Sequence, residues 1–371
     1  MHSPTNIFYG QINCHQKTEL NTRLQKFQYE VIIIIAIFVA TYVTNFSDSQ
    51  SLIELFTYNL GDNSFLENDI LIESYKNNFH KFFSNYFFYY FYELNISWVQ
   101  NPFFLLNILL KTLTIFGLYL VYRTITKNDI AGIILAAFNL APSIKVLPYI
   151  GDWYVVGPNL HANSIFYALF VFLIYFLLEK NYMKAITLQL LCLLFHPILG
   201  LFMALPIVLF FIFMNSKNFF KEFFFQATIK NLFYYFLLII NAMYVIFLFK
   251  LDQNSINSSE LIKIAFYHAP HHYQISSFAV SKILYFYCTA LLGTIFALKL
   301  FKNDALINKI IIISCLVMIM PIIHYTFTEI FPSKYIFSLH LLRTSSNLCL
   351  IFLLPYAFYG LAQNIFKRYE I

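Results

Sequence analysis

Charge is what this sequence has least of. Asp, Glu, Lys and Arg make up 11% of its 371 residues, where a soluble domain carries about 25%. A surface facing water on all sides cannot be covered with so little. With 60% hydrophobic residues and a mean hydropathy of +0.66, the chain reads as an integral membrane protein. Arginine is rarer still, four residues against twenty lysines, and the basic residues are scattered through short segments between apolar runs. That dispersion excludes the dense basic patch of a nucleic-acid binder, so the net charge of +6 reads as topology signals and no nucleic-acid partner is expected. The five cysteines (Cys14, Cys192, Cys288, Cys315, Cys349) have neither zinc-type spacing nor the pattern of a disulfide framework. There is no low-complexity tail, alignable repeat or soluble domain, so residues 1–371 read as one transmembrane domain.

Aromatic residues are in excess, with 45 Phe and 28 Tyr. Enrichment at bilayer interfaces explains part of this, and Phe, Tyr, Ile, Asn and Lys are also what AT-rich codons supply. A spanning helix needs about 20 mostly apolar residues, fewer where interfacial aromatics extend it. Hydropathy predicts ten spans, at 31–46, 102–122, 129–147, 162–179, 184–196, 199–215, 230–250, 278–299, 308–325 and 345–366. The expected fold is all-α and polytopic, with about ten transmembrane helices. The fifth and sixth spans are short and meet at His196-Pro197, and hydropathy leaves open whether 184–215 holds two short helices or one broken one.

Residues 1–30 are polar, and the apolar run begins at Val31, too late for a cleaved signal peptide. Residues 31–46 are therefore expected to stay as the first span, behind a cytoplasmic segment 1–30. With the N-terminus inside, most Lys and Arg fall in cytoplasmic segments, which satisfies the positive-inside rule and puts both termini in the cytoplasm. Most carboxylates and most of the ten histidines then fall outside or at the outer boundary, although they played no part in setting the orientation. Any chemistry is expected to be extracytoplasmic.

The first outer loop, 47–101, carries "LGDNSFLENDILIESYKNNFHKFFSNYFFYYFYEL". Its aromatic half, Phe79 to Leu94, suits a helix lying in the interface. Asp62, Glu67, Asp69 and Glu73 precede it, either as a general base or metal ligand above the membrane or as a solvated acidic loop. In "APSIKVLPYIGDWYVVGPNLHANS", 141–164, prolines and glycines describe an ordered connection in which Asp152 and His161 would line a pocket, or in which Trp153 merely anchors an interfacial turn. "LLCLLFHPILGLFMALP", 190–206, sets His196 at membrane depth, as a functional group or as a cap at a proline break.

The outer loop 251–277 holds "HAPHH". Pro270 argues against a continuous helix there, so His268, His271 and His272 are expected on a loop or helix entry. Their spacing, without nearby Cys, gives little support to zinc and more to an anion such as phosphate, to which imidazole N–H groups can donate. Arg343, in "SLHLLRTSSNLCL", is the one arginine near an outer boundary, as a bidentate phosphate ligand or as a snorkelling residue at a helix start.

Taken in order, "FLENDILIESY", "GDWYVVGPNLHANS", "LLFHPILGLFMALP", "HAPHHYQISSF" and "LHLLRTSSNLCL" resemble the motif series of a family of bacterial polytopic membrane proteins. In that family an outer-loop Asp, an HP-x-x-G-like step, a PHH motif and a late Arg recur, and it is similar to GT-C glycosyltransferases. The resemblance covers residues 30–350 and implies a multi-span enzyme of the bacterial cytoplasmic membrane. Such an enzyme moves a sugar from a polyprenyl-phosphate donor to a glycan, lipid or protein acceptor at the outer face. Asp69 best matches the loop acid, with Asp48 as its rival. The paired acidic motif that commonly follows the first GT-C span is missing. His271, His272 and Arg343 would hold the leaving polyprenyl phosphate. No nucleotide site is required, and a carboxylate-bound divalent cation (Mg or Mn) is compatible with this chemistry without being demanded by it. A polymerase or ligase of lipid-linked glycan repeats, and a transporter or flippase, are the alternatives.

Overall fold

The computed structural model describes residues 29–42, 83–93, 102–140, 150, 162–214, 236, 239–240, 243, 258–268, 273–300 and 306–369. Among them the regular structure is helical and no strand forms. Apolar runs fold this way because hydrocarbon offers backbone N–H and C=O groups no partner but each other. α1 (Tyr29–Tyr42) and α2 (Phe83–Glu93) precede the first long helix, α3 (Pro102–Thr126). A tight turn at Lys127, with φ 55°, leads to α4 (Asp129–Ala137), whose cap Asn128 accepts from the Ala131 N–H at 2.9 Å. α5 (Ala162–Leu178) and α6 (Tyr182–Phe195) form a hairpin turning at Lys180, with φ 57°.

After His196, α7 (Pro197–Met214) begins on proline, where the missing N–H costs nothing. α8 (Ser258–His268) follows in chain order. α9 (Val280–Leu300) and α10 (Ile307–Tyr325) follow, and α10 continues through a π turn at Thr326–Ile330. The short α11 (Lys334–Ser338) leads to α12 (Leu341–Leu348), which passes through a second π turn, Cys349–Leu353, into α13 (Leu354–Tyr369).

Five helical stretches among the described residues are long and apolar enough to cross a membrane: Phe103–Thr126, Pro197–Met214, Val280–Leu300, Ile307–Ile330 and Tyr335–Asn364. α1, α5 and α6 are apolar but shorter. The chain is thus an all-α polytopic membrane protein. The expected span 230–250 lies outside the described residues except for scattered positions, as do residues 141–147 of the expected span 129–147. The apolar windows of Phe103–Thr126 and Tyr335–Asn364 are 72% and 76% buried, against 28% and 33% for α9 and α10. The first pair therefore forms the centre. α9 and α10 form a rim whose exposed Leu284, Leu291, Ile319 and Ile322 suit contact with lipid.

The stretch 184–215 resolves into two helices rather than one. The His196 backbone (φ −143°, ψ 85°) breaks the helical path, and α7 packs back against α6. The contact is so close that a Cβ on Gly200 would run into the backbone of Leu193. We expect Gly200→Val to push the two helices apart and destabilise the protein by about 1–3 kcal/mol, seen as earlier thermal unfolding in detergent. Wild-type melting of this variant would mean that the hairpin is not held by that contact.

α3 and α5 run side by side from one end of the bundle to the other, with Thr124 Oγ1 donating to Glu179 Oε1 at 3.4 Å where both finish. At this end Arg123 joins α1 to α4, meeting Glu30 at 3.2 Å and Asp129 at 3.8 Å. Lys127, Lys180, Lys184, Lys299 and Lys309 occupy helix ends or turns on the same side. The opposite end collects the unusual polar residues.

Candidate functional site

Among the described residues, α12 is the most polar helix segment and one of the most deeply buried. Arg343, Thr344, Ser345, Ser346 and Asn347 are each at most 7% exposed. Five consecutive buried polar residues in a membrane protein carry a heavy desolvation cost unless each finds a partner, which makes the segment a functional candidate by default. The turn before it bends through His340, whose left-handed backbone (φ 50°, ψ 42°) is uncommon for a residue with a side chain. Arg343 is thereby brought inside the bundle. The alternative of an arginine snorkelling to the surface is overturned by its burial.

Four of the sequence motifs meet at α12. Ser346 Oγ donates to the Ile150 carbonyl at 2.5 Å and accepts from the Ile150 N–H at 3.0 Å, which ties down the connection two residues before Asp152. Asn347 Nδ2 donates to the Tyr167 hydroxyl of α5 at 3.2 Å and approaches Met203 Sδ of α7 at 3.7 Å. The Arg343 guanidinium lies over the Tyr273 ring, 5.7 Å from its centre. Its charge also reaches His196 and Tyr167.

Tyr273, which directly follows His272 in sequence, is pinned from several sides. Its ring stands 4.6 Å from Phe337 and 5.7 Å from His340, and its carbonyl accepts from His324 Nε2 at 2.7 Å. A carbonyl can only accept, so Nε2 of His324 carries a proton. Glu329, in the π turn that prolongs α10, accepts from the Ile275 and Ser276 N–H groups at 2.6 and 3.3 Å. The chain leaving the His-rich loop is thus fastened to α10, α11 and α12 together.

His196 sits half-buried at the α6–α7 break. Its Nδ1 accepts from the Leu199 N–H at 3.3 Å, capping α7, and its ring meets Phe166 edge-on at 6.0 Å. With Nδ1 accepting, the neutral ring keeps Nε2–H as a donor. α2 arrives at the same place. Phe83 and Phe87 of α2 pack on Phe195 at 5.2 and 5.4 Å, beside His196, and Phe88 and Phe91 lie over Phe103 at the start of α3. Of the aromatic half-loop, Phe83–Glu93 forms a helix, and it is seated over the end of the bundle that carries α12.

Three π turns border this region: Gly200–Ala204, which contains Met203, Thr326–Ile330, which contains Glu329, and Cys349–Leu353, which follows Asn347. Such turns cost hydrogen-bond regularity and recur at functional sites.

Searches against protein-family models, curated proteins and solved structures find no match. The geometry therefore has to carry the functional reading.

Of the residues expected at a site, Arg343 and His196 are brought together. Asp48, Asp69, Asp152, His161, His271 and His272 lie outside the described residues, and His268 is described only as the last residue of α8. Tyr167, Tyr273, Ser346, Asn347 and His324 were not singled out by sequence reasoning. The signal for two of them was present, since RTSSN interrupts an apolar segment with five polar residues in a row. Among the described residues no group of three His, Cys, Asp or Glu side chains is arranged to hold a metal, and Cys192, Cys288, Cys315 and Cys349 are free thiols.

Proposed function

We propose that the protein is an extracytoplasmic glycosyltransferase of the bacterial cytoplasmic membrane, with ten spans and both termini in the cytoplasm. It would transfer a sugar from a polyprenyl-phosphate carrier to a glycan, lipid or protein acceptor. The observation that supports this best is the convergence of a buried arginine with the HP break, the residue after PHH and the connection before Asp152 at one end of the bundle. Arg343 would grip the leaving phosphate bidentately, with His196 Nε2–H, His271 and His272 as further donors and His161 and His268 at the rim of the same pocket. Asp69, with Asp48 as the alternative, would take the proton from the acceptor hydroxyl, while Asp152 would position the acceptor. The orientation is supported by the concentration of Arg123, Lys127, Lys180, Lys184, Lys299 and Lys309 at the end opposite α12.

A transporter is the second reading, and the observation that favours it is the buried Lys111 of α3 together with the helix break at His196. Mass spectrometry of lipid-linked sugars and surface glycans decides between them, comparing wild type, a deletion and Asp69→Asn. The transferase reading predicts that the deletion and Asp69→Asn lose one sugar and accumulate its polyprenyl-phosphate donor, whereas Glu54→Gln leaves the profile unchanged. Accumulated complete single repeats would indicate a polymerase. No change in any glycan would bring transport to the front.

A further inference from the structure

The Asn347 carboxamide is bonded at one end only. Nδ2 is held by the Tyr167 hydroxyl and by Met203 Sδ. A thioether accepts and cannot donate, so the nitrogen must be the atom on that side. Oδ1 is therefore turned the other way, where it is buried and has no hydrogen-bond partner among the described residues. With the residue 1% exposed, an acceptor left open costs desolvation energy that folding alone gives no reason to retain.

Its position gives the reason. Asn347 lies four residues after Arg343 on α12, so the two side chains share a face about 5–6 Å apart. That separation is comparable to the reach from a phosphate to the ring hydroxyls of a sugar it carries. An arginine beside an open neutral acceptor is a recognition pair for an anion bearing a hydroxyl, and Ser345 and Thr344 do not compete for the acceptor. Ser345 Oγ donates to the Leu342 carbonyl and Thr344 Oγ1 to that of His340.

We propose that Asn347 is a specificity-determining residue whose Oδ1 accepts a hydrogen bond from a hydroxyl of the glycosyl group carried on the phosphate held by Arg343. This rests on the reading of Arg343 as a phosphate ligand. It adds that the site distinguishes a loaded carrier from a spent one, favouring release of the bare lipid phosphate after transfer. Tyr167 and Met203 act as positioning residues that fix the carboxamide's orientation.

The test is equilibrium binding to the purified full-length protein in detergent, using citronellyl phosphate and citronellyl phosphates carrying glucose, galactose or mannose. Wild type is expected to bind at least one glycosylated probe about fivefold to tenfold more tightly than the bare phosphate, the range of one hydrogen bond. Asn347→Leu and the less bulky Asn347→Ala should lose that preference while keeping wild-type affinity for the bare phosphate, which also shows that they are folded. Wild type binding all probes equally, or either folded variant keeping the preference, overturns the role of Asn347 and leaves the phosphate reading standing. Binding of no probe by wild type overturns both.

Discussion

An Arg343→Ala protein is expected to insert and fold but to lose glycosyl transfer by at least about a hundredfold, the usual cost of removing one preorganised charge-stabilising donor. The fold should tolerate the change, because truncating a buried cation removes a desolvated charge instead of creating one. Arg343→Lys is the informative companion. Lysine keeps the charge but not the planar fork, so a bidentate phosphate grip would be only partly restored. If charge were needed merely to hold α12 in place beside Tyr273 and His196, Arg343→Lys would recover full activity. Measured transfer from a short-chain lipid-phosphate sugar, with size-exclusion profiles to confirm folding, separates these cases. Wild-type transfer by a folded Arg343→Ala protein would remove Arg343 from the mechanism.

The long apolar runs were readable from hydropathy because a bilayer leaves the backbone one local solution. The limits of α3, α5, α6, α7 and α9 fall within a few residues of the expected spans. The site was legible only in part. Arg343 and His196 stood out as ionisable groups at membrane depth, and a proline beside His196 marked the break. Asn347 was marked only as one of the five polar residues of RTSSN, without its partner, and Tyr167 not at all, since a tyrosine in a chain rich in tyrosine carries no one-dimensional signal. Their pairing crosses 180 residues of sequence and exists only because α12 is packed against α5. The π turn that extends α10 was equally invisible. Hydropathy ended that span at residue 325, whereas the helix runs on to Ile330 and delivers Glu329 to the 275–276 backbone.

The packing of α9 against α13 links stability to this site, and Gly293 is where the link can be cut. A Cβ at Gly293 would collide with the carbonyl and Cβ of Leu353, the last residue of the π turn between α12 and α13. Ala290 and Ala297 flank it fully buried, and a Cβ at Gly360 on α13 would meet the Phe296 side chain on the same interface. Small residues let helix backbones approach where no hydrophobic force drives them together in lipid. Gly117 is the control, since its added Cβ would meet the side chain of Val171 instead of a backbone. The Val171 side chain can relieve its contact by turning about its own bond, whereas the Leu353 carbonyl is fixed by the helix it belongs to. Gly293→Val is therefore expected to destabilise by about 3 kcal/mol, the upper end for overpacking, and Gly117→Ala by less. Because Leu353 lies six residues after Asn347 on the same continuous helical path, the displacement should also reach the recognition pair on α12. Gly293→Val protein rescued by low temperature should then bind the bare phosphate more weakly than wild type, while Gly117→Ala should bind it normally. Equal thermal stability of the two variants would show that the α9–α13 contact is looser than this geometry requires.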